Sequence, residues 1–135
     1  TRYIGDWSSD VCSSDLDTLQ KQGHKLYVAT SEPKEYSVRI LDKFGLLKYF
    51  EYVSGSSMDE KDSDKATIIK NALNVSLADK KDVLMIGDRC FDIKGAKTNG
   101  VDSLAVLYGY GSREEITDSA PEYIAETVND IFNYV

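Results

Sequence analysis

Asp88 and Asp92 stand four residues apart, directly behind an apolar run, Val83 to Ile86, that stops at Gly87. A run of this length suits an interior strand of a parallel sheet. If a helix begins just after it, the two carboxylates lie one turn apart over the carboxyl end of that strand, where open α/β sheets bind ligands. Like charges held so close stay ionised together most readily when a hard divalent cation such as Mg2+ lies between them and a phosphate. The plainer alternative is a helix N-cap followed by a first-turn acid.

A second run, Lys25 to Ala29, halts at Thr30 and Ser31, and Pro33 is placed to open a helix. A hydroxyl pair at a strand end can donate to phosphate oxygens beside the amide groups of the next helix, although Ser31 would serve equally as an ordinary cap. Between the two runs lies an amphipathic segment with Ile68, Ile69, Ala72 and Leu73 on its inward face, and Lys65 falls on that face one turn earlier. A lysine in a first helical turn meets the positive end of the dipole, so a nearby anion such as phosphate would explain it. Otherwise its ammonium snorkels to water from the core's edge.

The elements needed to position these groups follow from the remaining pattern. Helices are predicted near Thr18 to Lys21, Lys34 to Lys43, Lys65 to Asn74 and Phe91 to Asn99, and strands at Lys25 to Ala29, Tyr52 to Ser54, Val83 to Ile86 and Ser103 to Val106. This βα alternation gives an α/β protein with a parallel sheet. The tail adds Ser112 and Glu115 as a capping box, an edge strand at Tyr123 to Ala125 and a last helix from Asp130. Asp59 to Asp64 reads as a solvated loop, and Tyr36, Phe44 and Phe50 read as core. Tyr108 to Gly111 lacks the lysine and hydroxyl of a nucleotide-binding loop and reads as a glycine-permitted turn at the site's rim.

Thr30, Lys65, and Asp88 with Asp92, in this order and spacing, resemble motifs II, III and IV of the haloacid dehalogenase superfamily. Within it, V-A-T-S-E-P (28–33), I-G-D-R-C-F-D-I-K-G-A (86–96) and V-L-Y-G-Y-G-S-R-E-E-I (106–116) are similar to the phosphoglycolate phosphatase and 5'-nucleotidase-like branch. The likeness runs from about Thr18 to Val135. It implies a Rossmannoid three-layer α/β/α core and Mg2+-dependent hydrolysis of a small-molecule phosphate ester through an aspartyl-phosphate. By the same resemblance Thr30, Ser31 and Lys65 hold the phosphoryl group, Lys65 serves catalysis, Asp88 ligates the metal and Asp92 supports it. Such chemistry depends on positioning and charge neutralisation. Glu32 departs from the branch, which often has lysine there.

The resemblance also requires an apolar strand ending in Asp-x-Asp before Thr30, carrying the nucleophile and the general acid. Only Asp15-Leu16-Asp17 imitates it, behind Val11 to Ser14, a poor buried strand, and without the glycine that usually follows. Moreover, Asp6 to Leu16 (D-W-S-S-D-V-C-S-S-D-L) resembles, residue for residue, the conceptual translation of a common sequencing adapter. Residues 1–16 are therefore read as an artefactual segment, and 17–135 as the C-terminal part of a HAD-like core, truncated at the N-terminus with its central motif I strand and cap missing. Such a loss leaves unpaired backbone on both neighbouring strands, so the chain is expected to be poorly stable or to adopt a makeshift pairing that uses Tyr3, Ile4 and Trp7. A non-catalytic phosphate or Mg2+ binding module and a β-phosphoglucomutase-like phosphomutase are the alternatives.

Composition excludes other classes. The net charge of −7 over the whole chain, and near −5 without residues 1–16, argues against a nucleic-acid partner. No apolar run approaches the roughly twenty residues that span a bilayer, and no secretory pattern is present, so neither a membrane nor export is implied. With Cys12 set aside, Cys90 alone cannot build a disulfide framework, and a reducing cytoplasm is the expected compartment. Cys90 is read as packing rather than a nucleophile, and His24 as exposed.

Overall fold

The computed structural model describes residues 2–5, 13–57 and 64–135. In chain order the elements are β1 (Arg2–Gly5), α1 (Ser13–Lys21), β2 (Lys25–Pro33), α2 (Lys34–Lys43), β3 (Phe50–Ser56), α3 (Lys65–Ser76), β4 (Val83–Gly87), α4 (Cys90–Asn99), β5 (Asp102–Val106), α5 (Arg113–Ser119), β6 (Tyr123–Ala125) and α6 (Val128–Ile131). The strands form one sheet in the order β3-β2-β1-β4-β5-β6, parallel at every pairing. The turns that follow the strands therefore open on the same rim.

Alternation along the strands distributes the core between two faces. Tyr27, Ala29, Val83 and Met85 pack with Ile68, Ile69, Ala72 and Leu73 of α3 and Ala96 of α4. Leu26, Leu84 and Leu104 face the other way, against Leu16 and Leu19 of α1 and Ile131 of α6, while Val28 and Val53 meet Leu41 of α2. Helices thus cover both sides, the three layers that the sequence predicts.

The central position is filled. Arg2–Gly5 pairs with β2 from Arg2↔Lys25 to Gly5↔Val28, and with β4 from Arg2↔Val83 to Gly5↔Ile86. Tyr3 and Ile4 thus make the makeshift pairing anticipated for the motif I position, and Trp7 lies outside the described residues. Along Lys25–Val28 and Val83–Ile86, the backbone edges that β2 and β4 would expose are paired by a four-residue strand.

Several bounds differ from the sequence reading. α1 starts at Ser13 rather than near Thr18, and buries Leu16 and Leu19. β2 continues through Thr30 to Pro33, because after a register irregularity Pro33 regains a place opposite Ser56 of β3. Tyr36 and Phe44 are exposed, since α2 turns Leu41, backed by Val38, toward the sheet; Phe50 does join the core. His24 is half-buried rather than exposed. Of the loop read at Asp59 to Asp64, only Asp64 is described, and its carboxylate caps α3 by accepting from Thr67 N at 3.3 Å.

Candidate functional site

Lys65 is the first residue of α3, and its side chain is only 6% exposed. It does not snorkel to water. Its ammonium donates to the carbonyl of Ala29, at 3.1 Å, and lies 2.9 Å from Asp92 Oδ1. The anion that the lysine's placement called for is thus a carboxylate of the chain itself. Asp92, 1% exposed, occupies the third position of α4, and its Oδ2 accepts from the backbone N–H groups of Asp88 and Arg89 at 3.1 and 3.2 Å. Both oxygens are therefore engaged, one by a cation and one by two orphan donors of the helix start.

Asp88 follows β4 directly. Its Oδ2 accepts from the N–H of Tyr110 at 3.0 Å, and among the described residues no hydrogen bond is made to Oδ1. The loop after β5 closes over it. A methyl group on Gly109 would collide with the Asp88 side chain, and one on Gly111 with the Asp88 carbonyl. These glycines are the rim turn that the sequence suggests, but they serve close approach: neither has a left-handed φ.

Thr30 is buried beside Ala29, and its Oγ1 accepts from Glu32 N at 3.2 Å, a local turn that leaves the hydroxyl hydrogen to donate elsewhere. Ser31 is exposed and does not cap α2, whose N-cap is Pro33. Instead it lines a cleft of about 310 Å3 with Asp64, Lys65, Phe91 and Lys94. The structure thus ties the middle of β2 at Ala29, the start of α3 and the start of α4 together through Lys65 and Asp92, with Asp88 on the turn between β4 and α4. Among the described residues no group of three or more His, Cys, Asp or Glu side chains could hold a metal ion.

The sequence reading gave Glu115 to a capping box and not to the site. Ser112 does cap α5, accepting from Glu115 N at 3.0 Å. The Glu115 carboxylate, however, does not complete the box; it accepts from Arg89 Nε at 3.0 Å and Nη2 at 3.2 Å, and from Cys90 N at 3.1 Å. This fork binds α5 to the turn that carries Asp88. The Arg89 side chain and then the Cys90 N–H hold the Glu115 carboxyl below the usual glutamate range, and Arg89 is raised correspondingly. A carboxyl depressed in the folded state contributes stability above its unfolded value, and that contribution is lost as pH falls through the lower folded value. Urea melts should therefore show an acid-side loss beginning below about pH 4.5, which is weaker in Glu115→Gln. An unchanged slope in that variant would exclude this contribution from the Arg89 and Glu115 pair.

These elements have known counterparts. Residues 9–106 match the haloacid dehalogenase-like hydrolase family. The chain belongs to that family. It is 36% identical over 108 residues to a 5'-nucleotidase of Pseudomonas aeruginosa, covering 80% of this chain and 49% of that protein. To a phosphoglycolate phosphatase of Nitrosococcus oceani it is 30% identical, covering 87% and 52%. The crystal structure of a predicted phosphatase from Clostridium acetobutylicum superposes with a TM-score of 0.87 at 38% identity, covering 90% of this chain and 56% of that one. The chain spans about half the length of the curated relatives it matches. No described helix is long and apolar enough to cross a membrane.

Proposed function

We propose that residues 17–135 belong to the core of a HAD-like phosphatase whose intact parent hydrolyses a phosphate monoester with Mg2+ through an aspartyl-phosphate, and that the chain as given does not turn over. The observation that carries this reading is the placement of the Lys65 ammonium between the Ala29 carbonyl and Asp92 Oδ1, at the start of the helix that follows Asp88. In this reading Thr30 and Ser31 donate hydroxyl hydrogens to phosphate oxygens. Lys65 supplies the charge that the equatorial oxygens need as the ester bond breaks.

Asp88 fits a hard cation, since Mg2+ commonly takes one or two carboxylates together with substrate phosphate and water, and Oδ1 makes no hydrogen bond among the described residues. Asp92, both of whose oxygens are occupied, positions the turn instead. Bound there, Mg2+ would neutralise charge on the transferring phosphoryl group.

Inactivity rests on the nucleophile. Asp15 and Asp17 lie within α1 rather than at a strand end, which argues against that role for the Asp-x-Asp imitation. The residue after β1 in the sequence is Asp6, outside the described residues. With p-nitrophenyl phosphate and Mg2+ the chain is expected to release no phosphate above the buffer rate. Turnover that disappears in Asp6→Asn or Asp15→Asn would overturn this and identify the acid responsible. Inorganic phosphate should still bind in the presence of Mg2+, measured by 31P line broadening. Its failure to bind would remove the phosphatase reading and the binding-module alternative together.

A further inference from the structure

We propose that the outward side of α2 is a docking surface for a second copy of this chain, and that it receives the acidic, tyrosine-bearing end formed by β6 and the residues after α6. Tyr36, Ile40 and Phe44 recur every fourth residue along α2 and so line up on one side of it. They are 47%, 55% and 68% exposed, while Leu41 of the same helix is buried against the sheet. Three large apolar side chains in one row, unlike the same residues scattered singly, mark an interaction surface. Arg39 and Lys43, three residues beyond Tyr36 and Ile40, border the row, and among the described residues neither forms an ion pair. Residues 34–48 hold four bases against Glu35 and Asp42, a net +2 in a chain whose net charge is −7.

The other end of the sheet has the complementary character. α2 packs over β2 and β3, whereas β6 is the last strand on the opposite side. There the exposed rings of Tyr123 and Tyr134 pair with centroids 5.0 Å apart, and Ile124 is exposed as well. Residues 113–135 hold six acids against Arg113 alone, a net −5. Glu115 and Glu126 are answered by Arg89 and Arg113, but Glu114, Asp118, Glu122 and Asp130 form no ion pair among the described residues. An apolar row with a basic border and an aromatic pair among acids thus match in both charge and surface type. Pairing α2 with its own copy, antiparallel about a two-fold axis, would instead set Arg39 and Lys43 against their own counterparts. Because the two surfaces lie at opposite ends of the sheet, the contact is heterologous: each added copy leaves one surface of each kind free, and association stays open-ended.

The test measures mass by sedimentation equilibrium on the full chain at up to about 1 mM, a range that reaches interfaces below the standard size. The average mass is expected to rise past two copies without a plateau. The apparent association constant should fall at least threefold between about 0.05 and 0.5 M NaCl as the charges are screened; one that rises with salt would overturn the charge pairing. Ile40→Glu removes the α2 surface, with Phe44→Ser as its second variant, and Tyr134→Lys removes the other surface. All three positions are exposed, and thermal melts establish that the variants fold. Each variant alone should remain a single copy. Ile40→Glu mixed with Tyr134→Lys should give a 1:1 complex and nothing larger, since each keeps the surface that the other lacks. A wild-type chain that stays at one copy, a mass that stops at a closed dimer, or variants that do not associate on mixing would overturn the inference.

Discussion

Lys65→Met is expected to lose roughly 3–5 kcal/mol of folding free energy, the usual cost of removing one partner from a buried ion pair. Methionine fills nearly the same space, so little of this is packing. The loss arises because the Asp92 carboxylate, 1% exposed, keeps its two backbone donors but loses the ammonium 2.9 Å away. The Ala29 carbonyl loses its donor at the same time. Adding Asp92→Asn to Lys65→Met should recover part of the loss, and a double-mutant cycle in urea should give a coupling energy of about 1–3 kcal/mol. A single-variant cost below about 1 kcal/mol would mean that the ammonium and the carboxylate are solvated, contrary to the geometry described.

Gly87→Ala should be comparably severe, at about 3 kcal/mol, by a different route. The added methyl group would meet the Cβ, Cγ and Oδ2 of Asp92. Gly87 pairs with Ala105 at the end of β4, inside the sheet, so its backbone has little room to retreat. Asp92 must therefore rotate away, and the N–H groups of Asp88, buried, and Arg89, half-buried, lose their acceptor. Overpacking and unsatisfied buried donors each cost about 1–3 kcal/mol. Because Asp88 is held by that same contact, the variant should also lose phosphate binding in the 31P experiment. A variant with wild-type stability would show that Asp92 does not sit over the strand end.

The groups that converge on the rim were legible because each follows a signal that survives in a single sequence. Val83 to Ile86 and Lys25 to Ala29 are continuous apolar runs that stop abruptly at chemistry-bearing residues. Lys65 stood out because it contradicted the dipole of its own helix. The partner it found, Asp92, is 27 positions away, a distance no local pattern encodes.

What stayed hidden was equally physical. Arg2–Gly5 is four residues long and gains its order only from two neighbours distant in the chain, so it carries no periodicity to read. The Ser112 and Glu115 spacing marked a helix start correctly but misassigned the Glu115 carboxylate, because a guanidinium outcompetes a neutral backbone N–H. Gly109 and Gly111 looked conformational, whereas the demand on them is space beside Asp88. Tyr36 and Phe44 read as core because they are large, and the inward side of α2 belongs instead to Val38 and Leu41.

The bond from Lys65 to the Ala29 carbonyl and its contact with Asp92 act as a gauge across the rim. One end touches β2 and the other the start of α4, which follows β4; β2 and β4 are the two strands that flank the middle of the sheet. The spacing of those two strands at the rim is therefore tied to a third element, since Lys65 belongs to α3 and to neither of them.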